Sequence, residues 1–137
     1  MNEQPIKQAI AITTKGQVMQ VGLPRPADVE YDFIKKFIGA TPEPWEVYLT
    51  EFPEIFWSMP ASPEYYKQPI NPVATMLIRG MYQNEVDAVR GNVLITGIGS
   101  SSGAVATIAP ENMKKLLAQG EALKGFFDTI NTMELEY

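Results

Sequence analysis

A chain of 137 residues that is 45% hydrophobic and 20% charged has the size and composition of one folded domain, long enough to bury a core without staples. It contains neither cysteine nor histidine; this excludes disulfides, thiolate nucleophiles, Ser-His-Asp and Cys-His triads and zinc sites built from Cys and His, and leaves oxygen-ligand Mg²⁺ or Ca²⁺ sites open. The net charge of −5 disfavours sequence-independent binding to nucleic acid, which draws its affinity from phosphate neutralisation; it suits a basic protein partner or a DNA mimic and also serves ordinary solubility.

Met1-Asn2-Glu3-Gln4-Pro5 lacks the basic and apolar regions of a signal peptide. No run of roughly eighteen apolar residues occurs. The expectation is a cytoplasmic protein with no membrane partner.

Residues 6–23 read as a hairpin. Apolar Ile6, Ala9-Ile10-Ala11-Ile12 and Val18, Val21, Leu23 flank Lys15-Gly16, which supplies turn chemistry. Pro24-Arg25-Pro26 ends the second strand, and a helix is expected over 27–38, with Val29, Phe33, Ile34, Phe37 and Ile38 on one face. Asp28, Glu30 and Asp32 in its first turns and Lys35 and Lys36 in its last complement the macrodipole, and Gly39 supplies a left-handed C-cap.

Thr41-Pro42-Glu43-Pro44 reads as a rigid connector, and Trp45-Glu46-Val47-Tyr48-Leu49 alternates as a half-buried strand. Ile55-Phe56-Trp57 lies between Pro53 and Pro60, which demote it to a short or edge strand. Residues 61–70 form a loop bearing adjacent Tyr65 and Tyr66. These offer either a contact surface, where Tyr is favoured, or side chains folded onto the edge of the core.

Asn71 is a favoured N-cap type and Pro72 is pre-set for the first helical position. Val73, Ala74, Met76, Leu77 and Met81 trace one face of a helix running to about residue 82 or ended early by Gly80. A polar loop over 83–90 precedes a near-continuous apolar strand over 91–98, expected at the centre of the sheet. The loop Gly97-Ile98-Gly99-Ser100-Ser101-Ser102-Gly103 leads to a strand over 104–109. Pro110 opens a helix with Met113, Leu116 and Leu117 on its apolar face; Gly120 interrupts it, and Leu123, Phe126, Phe127 and Ile130 extend the pattern. The tail from about residue 131 is expected to fray. The expected architecture is α+β: one domain over 1–137, a mostly antiparallel sheet with an N-terminal hairpin and two to three packed helices.

No catalytic motif emerges from this pattern. The spacing Gly97-x-Gly99-x-x-x-Gly103 departs from the dinucleotide fingerprint and no Gly-Lys-Ser/Thr follows, so the segment reads as a hairpin loop that can order on a partner through Ser100, Ser101 and Ser102. Glu43, Glu46, Glu51 and Glu54 cluster around one strand without Asp-x-Asp spacing, which reads as a solvated acidic edge rather than an acid–base pair or a divalent-metal site. Trp45, Phe52, Phe56, Trp57, Tyr65 and Tyr66 are close in sequence and suit a core, a small-molecule pocket or a protein hot spot. No basic groove accompanies them for single-stranded nucleic acid. Arg79 and Arg90 can anchor a small anionic ligand, cap a helix or pair with a carboxylate. The candidate contacts are therefore Trp57, Tyr65, Tyr66, Arg79, Arg90, Ser100, Ser101 and Ser102; no residue is assigned to catalysis, to a metal or to a cofactor.

At Asn71-Pro72-Val73-Ala74-Thr75 and Gly91-Asn92-Val93-Leu94-Ile95-Thr96-Gly97 the chain resembles a family of small phage and mobile-element domains of unassigned activity. Its members pair an Asn-Pro-x-Ala-Thr segment with a later Gly-Asp/Asn-Val-hydrophobic-Gly strand, and begin with a short hairpin and a helix ending in Gly. The resemblance covers most of residues 6–120. It implies a phage or mobile-element accessory protein in a bacterial cytoplasm and transfers no catalytic residue. The expected function is non-enzymatic: binding a host protein to modulate or inhibit it, as in counter-defence. The alternatives are a sponge for a small nucleotide-like signal, a virion structural component, and an enzyme using carboxylates and a divalent metal. A homo-oligomer with the pocket at a subunit interface suits the sponge, and higher-order assembly suits the virion component.

Overall fold

The structure, a computed structural model, describes residues 7–24, 27–47, 55–82, 88–98 and 105–134. These form strands β1 (Gln8–Ile12), β2 (Val18–Gly22), β3 (Pro42–Val47), β4 (Ile55–Pro60), β5 (Val93–Ile98) and β6 (Val105–Ala106), with helices α1 (Ala27–Ile38), α2 (Pro72–Tyr82) and α3 (Pro110–Glu134). The strands make one sheet in the order β2-β1-β5-β4-β3, and β6 pairs with the end of β5. Every pairing is antiparallel. The fold is α+β, as the sequence pattern predicts.

Helices cover both faces of the sheet. On one face Ile10, Ile12, Val18, Trp57, Met59, Val93 and Ile95 pack with Val73, Ala74, Leu77 and Ile78 of α2 and Leu116 of α3. On the other, Ala9, Ala11 and Leu94 meet Ile34 and Ile38 of α1. Strands β1 and β5 are thus buried on both sides, which is why Ala9–Ile12 and Val93–Ile95 read as unbroken apolar runs. The β1–β2 turn uses Gly16 at φ +84°, and Gly39 closes α1 at φ +86° with its N–H donated to Lys35 O at 2.8 Å.

Several elements differ from their sequence expectation. The buried stripe of α1 runs through Glu30, Ile34 and Ile38, with Phe37 half-buried; Val29 and Phe33 are left largely exposed. Glu30 is tolerated inward because Lys7 Nζ lies 3.1 Å from its Oε2. In α2 Ile78 is buried and Met76 faces out, and the helix continues through Gly80 to Tyr82. Strand β3 starts at Pro42 and contains both prolines of the expected connector. Strand β4 extends to Pro60 and lies inside the sheet between β3 and β5, not at its edge. Pro60 is harmless there because the last β4–β5 pair is Ser58↔Leu94, so no ladder bond requires its missing N–H.

The expected strand over 104–109 is only the two-residue β6, after which Ile108 N–H donates to Gln8 O at 3.0 Å and the chain turns into α3. Gly97 permits this close passage, because a Cβ there would collide with the Thr107 carbonyl. Helix α3 is continuous through Gly120, where a Cβ would come within 2.9 Å of Val18 Cγ1; the glycine marks a close helix–strand contact and not a break. The helix runs to Glu134. Among the described residues no helix is long and apolar enough to cross a membrane.

Candidate partner-contact site

Asn71 organises the region. Its Oδ1 accepts the Ala74 N–H at 3.0 Å, the N-cap bond expected of it. Its Nδ2 donates to Ile12 O at 3.1 Å and to Gly91 O at 2.9 Å, fastening the start of α2 to β1 and to the segment before β5. Thr75 Oγ1 donates to Asn71 O at 2.7 Å and accepts the Val89 N–H at 2.8 Å. Asn71 and Thr75, both buried, thus make the Asn-Pro-x-Ala-Thr segment a hydrogen-bonded joint. Gly91, at φ +82°, adopts a left-handed conformation against Pro60. Asn92 accepts the Thr14 N–H at 3.1 Å and donates to Phe37 O at 2.8 Å, linking the hairpin turn to the end of α1. Both motifs that carry the family resemblance are architecture.

This joint sets the position of residues 88–91, on which Tyr65 is mounted. The Tyr65 hydroxyl donates to Ala88 O at 3.0 Å and accepts the Arg90 N–H at 3.3 Å. Its ring packs on the core from within a 3-10 turn, Glu64–Lys67, that carries both tyrosines. Tyr66 stands on Tyr65 edge-to-face, with ring centroids 5.3 Å apart and planes at 79°, a geometry worth about 0.5–1.5 kcal/mol beyond burial. Tyr66 is 72% exposed, more than any other exposed large hydrophobic side chain described. The two tyrosines therefore divide the alternatives: Tyr65 folds onto the core edge and Tyr66 faces out. Ile70, half-exposed, bridges to Arg90 across an isolated antiparallel pair. Arg90 Nη1 donates to Gln68 O at 3.1 Å, so the guanidinium is held by the main-chain carbonyl that follows the 3-10 turn. The sequence pattern did not single out Ile70; its signal was the one aliphatic side chain larger than alanine in the loop over 61–70.

Trp57, a candidate contact by sequence, is 0% exposed and belongs to the core, so it is not a surface residue. Strand register explains this, since Trp57 sits opposite Ile95 on the face covered by α2 and α3. The Arg79 side chain and all of Ser100, Ser101 and Ser102 lie outside the described residues, as do Glu51, Phe52, Glu54 and the side chains of Trp45, Glu46 and Phe56. Among the described residues there is no group of three or more Asp or Glu side chains placed to hold a metal. A shallow cleft of about 260 Å³, lined by Thr14, Lys15, Gly16, Pro72, Val73, Lys124 and Asp128, lies at the hairpin turn, away from the tyrosine pair. No family model, curated protein or solved structure matches the chain.

Proposed function

We propose that this chain works by binding a protein, with Tyr66 at the centre of the contact and Ile70 and Arg90 beside it. The observation that carries the reading is the mounting of Tyr66. A large aromatic 72% exposed to water is held by a tyrosine that is itself locked at its hydroxyl. Such a side chain loses little conformational entropy on binding, and Tyr, Arg and an aliphatic neighbour are the composition of an interface hot spot. The missing histidine and cysteine support a binder over a catalyst of the usual nucleophilic kinds. Joined to the family resemblance, the role is that of a phage or mobile-element accessory protein that modulates or inhibits a host protein in the bacterial cytoplasm.

The test is recovery of a stoichiometric partner from bacterial lysate by the wild type, by Tyr66→Ala, and by Glu121→Ala as an exposed control on α3. The proposal expects the partner with wild type and Glu121→Ala and its loss with Tyr66→Ala. Equal recovery by all three would place the contact elsewhere.

A further inference from the structure

The two edges of the sheet differ in what they offer an incoming strand. At β3, Ala61 N–H donates to Thr41 O at 2.8 Å, so by antiparallel alternation Glu43, Trp45 and Val47 direct their backbone groups toward β4 while Pro42, Pro44 and Glu46 direct theirs outward. Two of those three outward positions are prolines without an N–H, and the strand carries Glu43 and Glu46. Prolines and charges are how natural sheets blunt an edge.

Strand β2, at the other edge, has neither. Thr13 N–H donates to Gln17 O at 2.9 Å and Leu23 N–H to Lys7 O at 2.8 Å. Met19 and Val21 therefore bond to β1, and Val18, Gln20 and Gly22 direct both N–H and C=O away from β1, to a side where no strand pairs with them among the described residues. The sequence Val18-Met19-Gln20-Val21-Gly22 contains no proline and no charge.

We propose that β2 is a homodimer seam, pairing antiparallel with β2 of a second copy about a two-fold axis at Gln20, so that the two sheets become one. The outward groups fall at three alternate residues centred on Gln20, and this makes the edge self-complementary. Val18 meets Gly22 of the second copy, Gln20 meets Gln20, and Gly22 meets Val18, with a donor opposite an acceptor each time. The same register sets Met19, which is 39% exposed, beside Val21 of the second copy, and the reverse, giving two apolar cross-strand contacts. Charge favours this edge: the chain carries −5 overall, yet β2 brings no charge to the seam, whereas joining two β3 strands would bring acidic residues together. One short strand buries well under the roughly 800 Å² per partner of a standard interface, so the dimer is of the weak class that dissociates on dilution.

Sedimentation velocity from about 10 μM to about 1 mM spans the affinities of that class. The wild type is expected to pass from monomer to dimer. Gln20→Pro removes the central outward donor and no backbone bond to β1, and Gln20→Lys sets like charges across the two-fold; each gives up only the exposed side-chain bond from Gln20 Nε2 to Gln8 Oε1, and both are expected to stay monomeric with unchanged circular dichroism. Amide exchange at Val18, Gln20 and Gly22 is expected to slow as wild-type concentration rises, with Tyr66→Ala dimerising as the wild type does. A wild type monomeric throughout overturns the proposal, including the case in which β2 instead takes up a strand of another protein. Dimers persisting in Gln20→Lys overturn it too, and that variant decides the matter should Gln20→Pro misfold.

Discussion

Asn71 spends all of its side-chain hydrogen-bonding groups on main chain. Asn71→Ala removes an N-cap and the amide donor that ties Ile12 O and Gly91 O to the start of α2, and is expected to lower unfolding free energy by about 2–4 kcal/mol in urea titration. Asn71→Asp retains the cap acceptor but points a carboxylate at both carbonyls, so it is expected to rescue little. At Thr75 the hydroxyl, not the methyl, does the bridging; Thr75→Val is expected to cost about 1–3 kcal/mol by leaving the Val89 N–H unpaired, and Thr75→Ser to cost less. The capping role of Asn71 was legible in the sequence because an N-cap is a local pattern. Its ties to Ile12 and Gly91 were not, because those partners lie 59 and 20 residues away.

At the scale of elements, glycines and prolines mark contacts as often as breaks. Gly120 and Gly125 both lie within the continuous α3. A Cβ at Gly120 would press on Val18, while at Gly125 it would meet nothing within 4 Å. Alanine gains about 1 kcal/mol over glycine in a helix interior, and overpacking costs about 1–3 kcal/mol. Gly125→Ala is therefore expected to raise the melting temperature and Gly120→Ala to lower it; both rising together would contradict the close α3–β2 packing. The prolines of β3 teach the same lesson. Alternation in 45–49 announced a strand, but only the ladder register shows that Pro42 and Pro44 fall where their missing N–H groups point outward. Helices α1 and α2 were legible from periodicity and caps. Their buried faces came out rotated, since Val29, Phe33 and Met76 are apolar yet lie outside the stripe that meets the sheet.

Over the whole molecule, helices on both faces of one antiparallel sheet leave its surface function to the segments at the margins. The class of fold and the central place of β5 could be read from a two-sided apolar run. Which aromatics reach the surface could not, because the burial of Trp57 follows from its register opposite Ile95 and the exposure of Tyr66 from its stacking outside Tyr65. The support beneath Tyr66 is testable apart from any partner. Tyr65→Phe loses the hydroxyl bonds to Ala88 and Arg90 and is expected to reduce stability by about 1 kcal/mol, measured by denaturant unfolding. Tyr66→Ala, removing a side chain that faces water, is expected to change it by less than about 0.5 kcal/mol.

The central claim is that Tyr66 is a contact residue and not a stray surface aromatic. Titration calorimetry of the recovered partner against wild type and Tyr66→Ala, with matched circular dichroism and melting curves, tests it most directly. The account predicts at least about a 30-fold loss of affinity, the hot-spot threshold of about 2 kcal/mol, with folding unchanged. Equal affinity for the two proteins would contradict it.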